Sequence, residues 1–414
     1  MRSFTLRAFV PFLVIASSCT AGCTAKVSSP GQGTSGTEPG GVGNGAASDG
    51  GDSGNGSGNG GDGGAVSSGP PAVQFVGRFD DGDPVGPRFA WPGAQIVARF
   101  EGTSVTVRLS QTFAGFQGGP TWFNVIVDGN VVAPFSVTGL TEDHELATGL
   151  VAGTHSVAIE KRTEPNHGTV RFEGFAFPDG KLLAPPVQRT RRIEFVGEST
   201  IDGFGVEGDR NTTCAGGAPA QFDNVRKSVA AYSASALDAE LHVTAYSGKG
   251  IARNTTPEDT ATMPAVFGRA LPDPGTGTTW NTASWVPDVV VISLGGVDFD
   301  GGVSTAPADF QSAYAAFVAS IRTSYGPTSR IVLTVWSQLK DGGGDLNVRS
   351  AVSSAIDGVI ASRAAAGDDK VTKYVFPEAN ANYDETGCYA HANAAHHQAM
   401  ANLLVPYVKT LTGW

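Results

Sequence analysis

The amino-acid sequence predicts an all-β jelly-roll sandwich over residues 73–180, a linker over 181–191, and an α/β domain with a parallel sheet over 192–414. Three observations carry this expectation. Residues 73–177 alternate apolar and polar positions and are rich in β-branched side chains. From residue 192, short continuous apolar runs are each followed by a stretch of helical period, and Pro185-Pro186 with Gln188-Arg189-Thr190 stands between the two patterns. Alternation is what a sheet with one wet face requires, whereas a parallel strand covered on both faces reads as an unbroken apolar run.

Residues 1–23 begin with Arg2 and Arg7, pass through an apolar segment at 8–16 and end on Thr20-Ala21-Gly22-Cys23. This is the layout of a bacterial export signal, too short to persist as a membrane span. Small residues directly before a cysteine also match a lipoprotein processing site. Cys23 is the expected lipidated residue and Cys19 a weaker competitor, so the expectation is a bacterial protein held at the outer membrane by lipid or free outside the cell. Residues 24–72 are almost entirely Gly, Ser, Thr, Asn, Asp and Pro, as in Gly54-Asn55-Gly56-Ser57-Gly58. Such a tract buries too little apolar surface to offset its ordering entropy and is expected to be a flexible tether. About 340 residues remain, enough for two domains.

In the front domain the strand signals are residues 95–100, 104–109, 122–127, 156–160 and 169–172, with turns at Asp128-Gly129-Asn130 and Pro178-Asp179-Gly180. Helical period is absent, which favours an antiparallel sandwich. Its role is either to bind carbohydrate or simply to pack on its neighbour. In the second domain, strands are expected at 193–196, 241–245, 289–294, 330–336 and 371–375. Helices are expected at 225–239, 306–325, 347–366 and 392–410.

Ligands of such sheets bind outside the carboxyl ends of the strands, so the residues that follow each strand are the candidates for chemistry. After the first comes Gly197-Glu198-Ser199, with Ser199 the candidate nucleophile. After the second comes Tyr246-Ser247-Gly248-Lys249-Gly250, where Gly248 offers a backbone N–H to an oxyanion, as does Ser199 itself. A serine hydroxyl needs an imidazole to take its proton. His391, in Gly387-Cys388-Tyr389-Ala390-His391 before the last helix, is the candidate base; His396, His397 and His242 fall inside elements and read as packing or surface residues.

Cys214 and Cys388 are the only cysteines beyond the leader. In an oxidising compartment they are expected to form a disulfide joining the loop after Ser199 to the loop carrying His391. No second cysteine or histidine stands at ligand spacing beside either, so no metal is expected. The net charge of −11, with no Lys/Arg cluster after the leader, argues against nucleic acid or an anionic membrane as partner and fits a neutral substrate. Trp280, Trp285, Trp336 and Tyr389 are candidates to stack on a sugar face, with core packing the alternative.

On these residues the whole chain after the tether resembles the family 2 carbohydrate esterases, a branch of the SGNH (GDSL-type) hydrolases with a jelly roll ahead of a flavodoxin-like catalytic domain. The matching stretches in front are Phe89-Ala90-Trp91-Pro92-Gly93, Val127-Asp128-Gly129 and Glu160-Lys161-Arg162-Thr163-Glu164. In the second domain they are Phe195-Val196-Gly197-Glu198-Ser199, Ala245 to Asn254, Pro287 to Gly295, and Gly387-Cys388 followed by His391. The resemblance implies a monomeric serine esterase, free of cofactors, that removes acetyl groups from plant cell-wall polysaccharides such as xylan, mannan or glucomannan.

Three departures from the family pattern matter. Glu198 stands where an aspartate is usual. Val297, in Gly295-Gly296-Val297-Asp298, replaces an asparagine whose side chain would donate to the oxyanion. Unless Asn254 or another amide supplies that donor, a slow enzyme or a shifted substrate is implied. No acid precedes His391 by two or three residues, which implies a Ser199–His391 dyad oriented by a backbone carbonyl; Asp384 and Glu385 are the alternatives. The competing reading, motivated by Val297, is a carbohydrate-binding protein that keeps the fold without turnover. A lipase or thioesterase fits less well because no long apolar lid is visible.

Overall fold

The computed structural model describes Pro70 and residues 72–414, apart from positions 114, 116, 215–219, 274, 276, 300–304 and 343–346. The expected export signal, Cys23 and all of the tether but Pro70 and Ala72 lie outside the described residues.

The front part is built from ten strands: β1 (Gln74–Val76), β2 (Arg88–Phe89), β3 (Gln95–Gly102), β4 (Val105–Phe113), β5 (Thr121–Val127), β6 (Asn130–Val137), β7 (Glu142–Ala147), β8 (Gly153–Lys161), β9 (Thr169–Ala176) and β10 (Lys181–Leu182). One sheet has the order β1-β3-β8-β5-β6 with β10 beside β3, the other β2-β9-β4-β7, and neighbours run antiparallel. Alternation sets the inner face. In β3, Ile96, Ala98 and Phe100 are buried while Gln95, Val97 and Arg99 are not, and the buried set joins Leu109, Phe123, Val157, Ile159 and Val170 in one core. The strands that the sequence pattern passes over are marginal in the sheets. β1, β2, β6 and β7 sit at the ends of the sheet orders, and β6 exposes its first five residues, Pro134 among them, as an edge strand tolerates.

The second part carries a five-stranded parallel sheet of β11 (Arg191–Gly197), β12 (Ala239–Ala245), β13 (Val289–Ser293), β14 (Arg330–Val335) and β15 (Val371–Val375) in the order β12-β11-β13-β14-β15. Its helices are α1 (Ser199–Asp202), α2 (Val229–Ala236), α3 (Met263–Phe267), α4 (Pro307–Tyr325), α5 (Val348–Ala365) and α6 (Ala394–Thr412). The strands supply apolar residues to both faces: Val196, Val290, Ile292 and Leu333 pack with α4 and α5, while Ile193, Phe195, Val291 and Val332 pack with α2 and α6. The order reverses at β11, which places the switch point, and hence the expected crevice, at the end of that strand.

One expected helix is redrawn. Residues 225–239 split into a 3₁₀ turn, Val225–Lys227, and α2, because Ser228 is extended and its side chain accepts the Ala231 N–H as an N-cap. Asp238, at φ 50°, then turns the chain into β12, which begins at Ala239.

The two parts meet through buried polar groups. Arg78 of the front part donates to Glu194 Oε1 in β11 at 2.7 Å, and the Thr244 and Tyr325 hydroxyls donate to the same carboxylate at 2.7 Å each. A buried ion pair satisfied in this way tolerates its desolvation cost, and loss of one partner strands a charge.

Candidate active site

Ser199 opens α1 immediately after β11. A Cβ on Gly197 would run into Ile201 and approach Ser293 O to 3.0 Å, so a glycine there lets the short helix fold back over the strand end. The turn leaves Ser199 on the wall of a cleft of about 1180 Å³.

His391 reaches the same place from the far end of the sheet. Tyr389 and Ala390 both adopt left-handed backbone conformations, φ 52° and 59°, a costly arrangement for residues with a Cβ that persists only where the surroundings impose it. The double turn brings His391 back over Cys388, whose carbonyl accepts the His391 backbone N–H at 3.1 Å and lies 3.1 Å from Nδ1. With Nδ1–H donating there, Nε2 presents its lone pair, and it lies 2.8 Å from Ser199 Oγ. A disulfide joins Cys388 to Cys214 with Cα atoms 5.3 Å apart, and the Phe204 ring lies 4.8 Å from the imidazole.

The bridge spans 174 positions, so by chain entropy it contributes on the order of 5 kcal/mol as an upper bound. Cys214→Ser combined with Cys388→Ser is expected to lower the melting temperature by about 10 °C in thermal denaturation. An unchanged midpoint would mean that the loops are held without the bond.

Neither acid near His391 supports it. Asp384 accepts the Asn380 N–H at 2.7 Å and faces His396 Nδ1 at 3.4 Å, and Glu385 pairs with Lys340 at 2.7 Å. Burial holds the His391 imidazole below its ordinary value of 6.5, against the opposing pull of the Cys388 and Tyr389 backbone and the Asp223 charge. A base acts in its neutral form, so a lowered value extends activity toward acid. The acidic limb of kcat/KM is expected below pH 6.5, and a limb above it in a pH–rate profile would contradict the assignment.

A second Ser–His–Asp array lies nearby. Ser337 Oγ is 2.7 Å from His396 Nε2, with Asp384 on the other ring nitrogen, but Ser337 is fully buried and His396 nearly so. No substrate reaches it. His397 accepts the Val229 N–H at 3.2 Å and is pushed down to about 3 by burial. His242 stacks on Trp285 at 3.5 Å and accepts the Gly77 N–H at 3.1 Å. All three act in packing.

Gly248, at φ 76°, lines the same cleft as Ser199. Its loop is pinned by Asp298, which accepts N–H bonds from Ile251 at 2.9 Å, Ala252 at 2.7 Å and Arg253 at 3.1 Å. Asn254 does not supply an oxyanion donor: its Nδ2 is committed to Asp259 O at 2.7 Å and Ala261 O at 3.1 Å, while Oδ1 accepts the Gly250 N–H. It is a loop staple. Val297 opens the 3₁₀ turn after β13 and lines the cleft, and its side chain has no polar atom to offer. Glu198 lines the cleft as well.

Of the aromatic candidates, Tyr389 lines the cleft and is exposed, whereas Trp336, at its edge, is buried in the core against Phe376 and His397. Trp285 instead packs on His242 and donates to Glu240 at 2.5 Å, and Trp280 lies edge-on to His242. Gln117 and Asn166, both from the front part, also form the cleft wall. Sequence reasoning missed them because each stands in a loop of the sandwich, far along the chain from any strand-end motif.

Residues 75–186 match the carbohydrate esterase 2 N-terminal model, and residues 195–399 match the GDSL-like lipase/acylhydrolase family. The chain is 36% identical to a cellulase/esterase, CelE, of Acetivibrio thermocellus over 83% of its own length, and it spans 40% of that longer protein. It is 25% identical to an acetylxylan esterase/glucomannan deacetylase of Cellvibrio japonicus, with 84% of this chain and 91% of that one covered. Among solved structures, a family two carbohydrate esterase from Clostridium thermocellum in complex with cellohexaose superposes with a TM-score of 0.75 at 33% identity, over 83% of this chain and 100% of that one. With both domains matched in order and a solved relative covered end to end, this chain belongs to the family 2 carbohydrate esterases.

Proposed function

We propose that this protein is an exported serine esterase that removes O-acetyl groups from plant cell-wall polysaccharide through an acetyl-enzyme. The observation that carries the reading is the 2.8 Å contact of His391 Nε2 with Ser199 Oγ, with the Cys388 carbonyl behind Nδ1. Neutral His391 takes the Ser199 proton as Oγ attacks the acetyl carbonyl, and the N–H groups of Ser199 and Gly248 receive the oxyanion. On collapse the imidazolium returns its proton through Nε2 to the departing sugar oxygen. Water, deprotonated in turn by His391, then releases acetate. Each step draws on side-chain and backbone groups of this chain, and the carbonyl partner does for the ring's orientation what a carboxylate does in a triad.

Two curated relatives, named for acetylxylan and glucomannan, support this substrate class, as does a cleft that combines the exposed Tyr389 with polar Gln117, Asn166 and Gln338. A sugar presents both an apolar face and hydroxyls, and such a wall meets both. The front sandwich is read as a jelly roll. Its tether and the Cys23 processing site fit an enzyme leashed to the cell surface and reaching an insoluble substrate, and free secretion is the alternative fate.

Acetate release from acetylated xylan, acetylated glucomannan and p-nitrophenyl acetate, compared between the native chain and Ser199→Ala, tests the proposal. Val297 favours one second reading, a carbohydrate binder without turnover. Polysaccharide binding with no Ser199-dependent acetate release would establish that reading instead.

A further inference from the structure

The run Lys161-Arg162-Thr163-Glu164, where β8 leaves the front sandwich, takes no part in the steps above, yet all four residues are buried. We infer that Glu164 is a positioning residue for the oxyanion donor Gly248: through this one carboxylate the front sandwich holds the backbone N–H of the preceding residue, in a loop whose other contacts come from the α/β domain. The inference rests on the proposed esterase reaction.

The geometry is a clamp. Glu164 Oε2 accepts the backbone N–H of Ser247, the residue before Gly248, at 2.7 Å, and Oε1 accepts from Asn166 Nδ2 at 3.2 Å. The Ser247 hydroxyl donates to Asp202 Oδ2 at 3.1 Å, and Asp202 lies on α1 three residues after Ser199. Beyond Gly248, Asp298 takes the N–H groups of residues 251–253. Carboxylates from two different parts of the chain therefore fix the backbone on both flanks of a left-handed glycine. That glycine has no side chain of its own to hold the direction of its N–H.

Oxyanion stabilisation depends on donors fixed before charge develops, and a donor free to rotate forfeits most of the effect. Charge-assisted N–H bonds to a buried carboxylate are short and strong enough to supply that rigidity. Burial, followed by the charges of Glu164 and Asp223, pushes the Asp202 carboxyl well above its ordinary range. Burial raises the Glu164 carboxyl too, against the opposing pull of the His167 charge and the Ser247 N–H. Arg162, two residues away, serves the same interface differently: its Nε donates to Asp223 O at 3.0 Å and its Nη2 pairs with Glu207, neither of them a residue of the Gly248 loop.

Glu164→Ala, Glu164→Gln and Arg162→Ala provide the test. Turnover of p-nitrophenyl acetate is measured per active site, with sites counted by covalent phosphonylation of Ser199 by a p-nitrophenyl phosphonate and the phosphonylation rate itself recorded. Glu164→Ala is expected to lower both kcat and the phosphonylation rate about ten- to hundred-fold, with KM within about threefold. Glu164→Gln, whose amide oxygen still accepts the Ser247 N–H, is expected to stay within about fivefold. Arg162→Ala is expected to lower the melting temperature while keeping kcat per site. A Glu164→Ala protein with native kcat and phosphonylation rate per site, or an Arg162→Ala protein as impaired as Glu164→Ala, would reduce Glu164 to interface packing. The phosphonylation rate decides the matter even where acetate release is absent, so failure of the esterase reading and failure of the clamp remain distinguishable. A native chain inert to both reagents overturns both.

Discussion

Ser199→Ala is expected to reduce kcat on aryl acetate by about 10⁴-fold or more, His391→Ala by a comparable factor, and the double variant by no more than the worse single one. The reason is the single proton that the 2.8 Å contact between Nε2 and Oγ exists to move. Once either partner is missing the other has no task, so the losses do not add. The fold should survive, because Ser199 and His391 are not among the core clusters that cover the sheet. Melting temperatures near that of the native chain are therefore part of the expected result. Ser337→Ala is the informative control. It breaks a Ser–His–Asp array of similar outward form, yet Ser337 is fully buried, so kcat is expected to remain within a few-fold while the unpaired His396 costs about 1–3 kcal/mol of stability. Loss of turnover in Ser337→Ala with turnover retained in Ser199→Ala would invert the assignment.

The contrast between those two arrays also marks what a sequence can disclose. Ser199, Gly248 and His391 were legible because each follows an apolar run or precedes a helix, and a parallel sheet delivers all such positions to one edge. The central strands were legible for the same reason, since β13 is buried at every residue. Edge strands such as β6 were not, because a strand wetted on most of its length carries no alternation. Nor were the groups that position the site. Asp298 acts through three backbone N–H groups, and Glu164 acts from a different domain, 83 positions from its partner. No local pattern encodes such a contact. Asn254 shows the converse: an amide in a promising loop is spent on that loop's own carbonyls, which composition and spacing do not reveal.

Val297→Asn is expected to raise kcat by up to about a hundred-fold with little change in KM. Two backbone donors, on Ser199 and Gly248, serve the oxyanion in the proposed mechanism, and position 297 is where the family resemblance places a third. The backbone there is already fixed, because the neighbouring Asp298 is locked by the N–H groups of Ile251, Ala252 and Arg253. The side chain at 297 lines the cleft, so an amide of nearly the same volume replaces an isopropyl group without repacking the core clusters, to which Val297 does not belong. Val297 is buried, so the new amide carries a desolvation cost that its gain in the transition state must exceed. A donor that strengthens only as negative charge develops lowers the barrier without tightening ground-state binding, hence the expected split between kcat and KM. Val297→Ala, which opens the same space without a donor, should give no gain. If Val297→Asn folds normally and leaves kcat unchanged on every acetylated substrate, the missing amide is not what limits this enzyme. If the native chain binds polysaccharide without turnover and Val297→Asn alone restores acetate release, the valine is what separates the binder from the esterase.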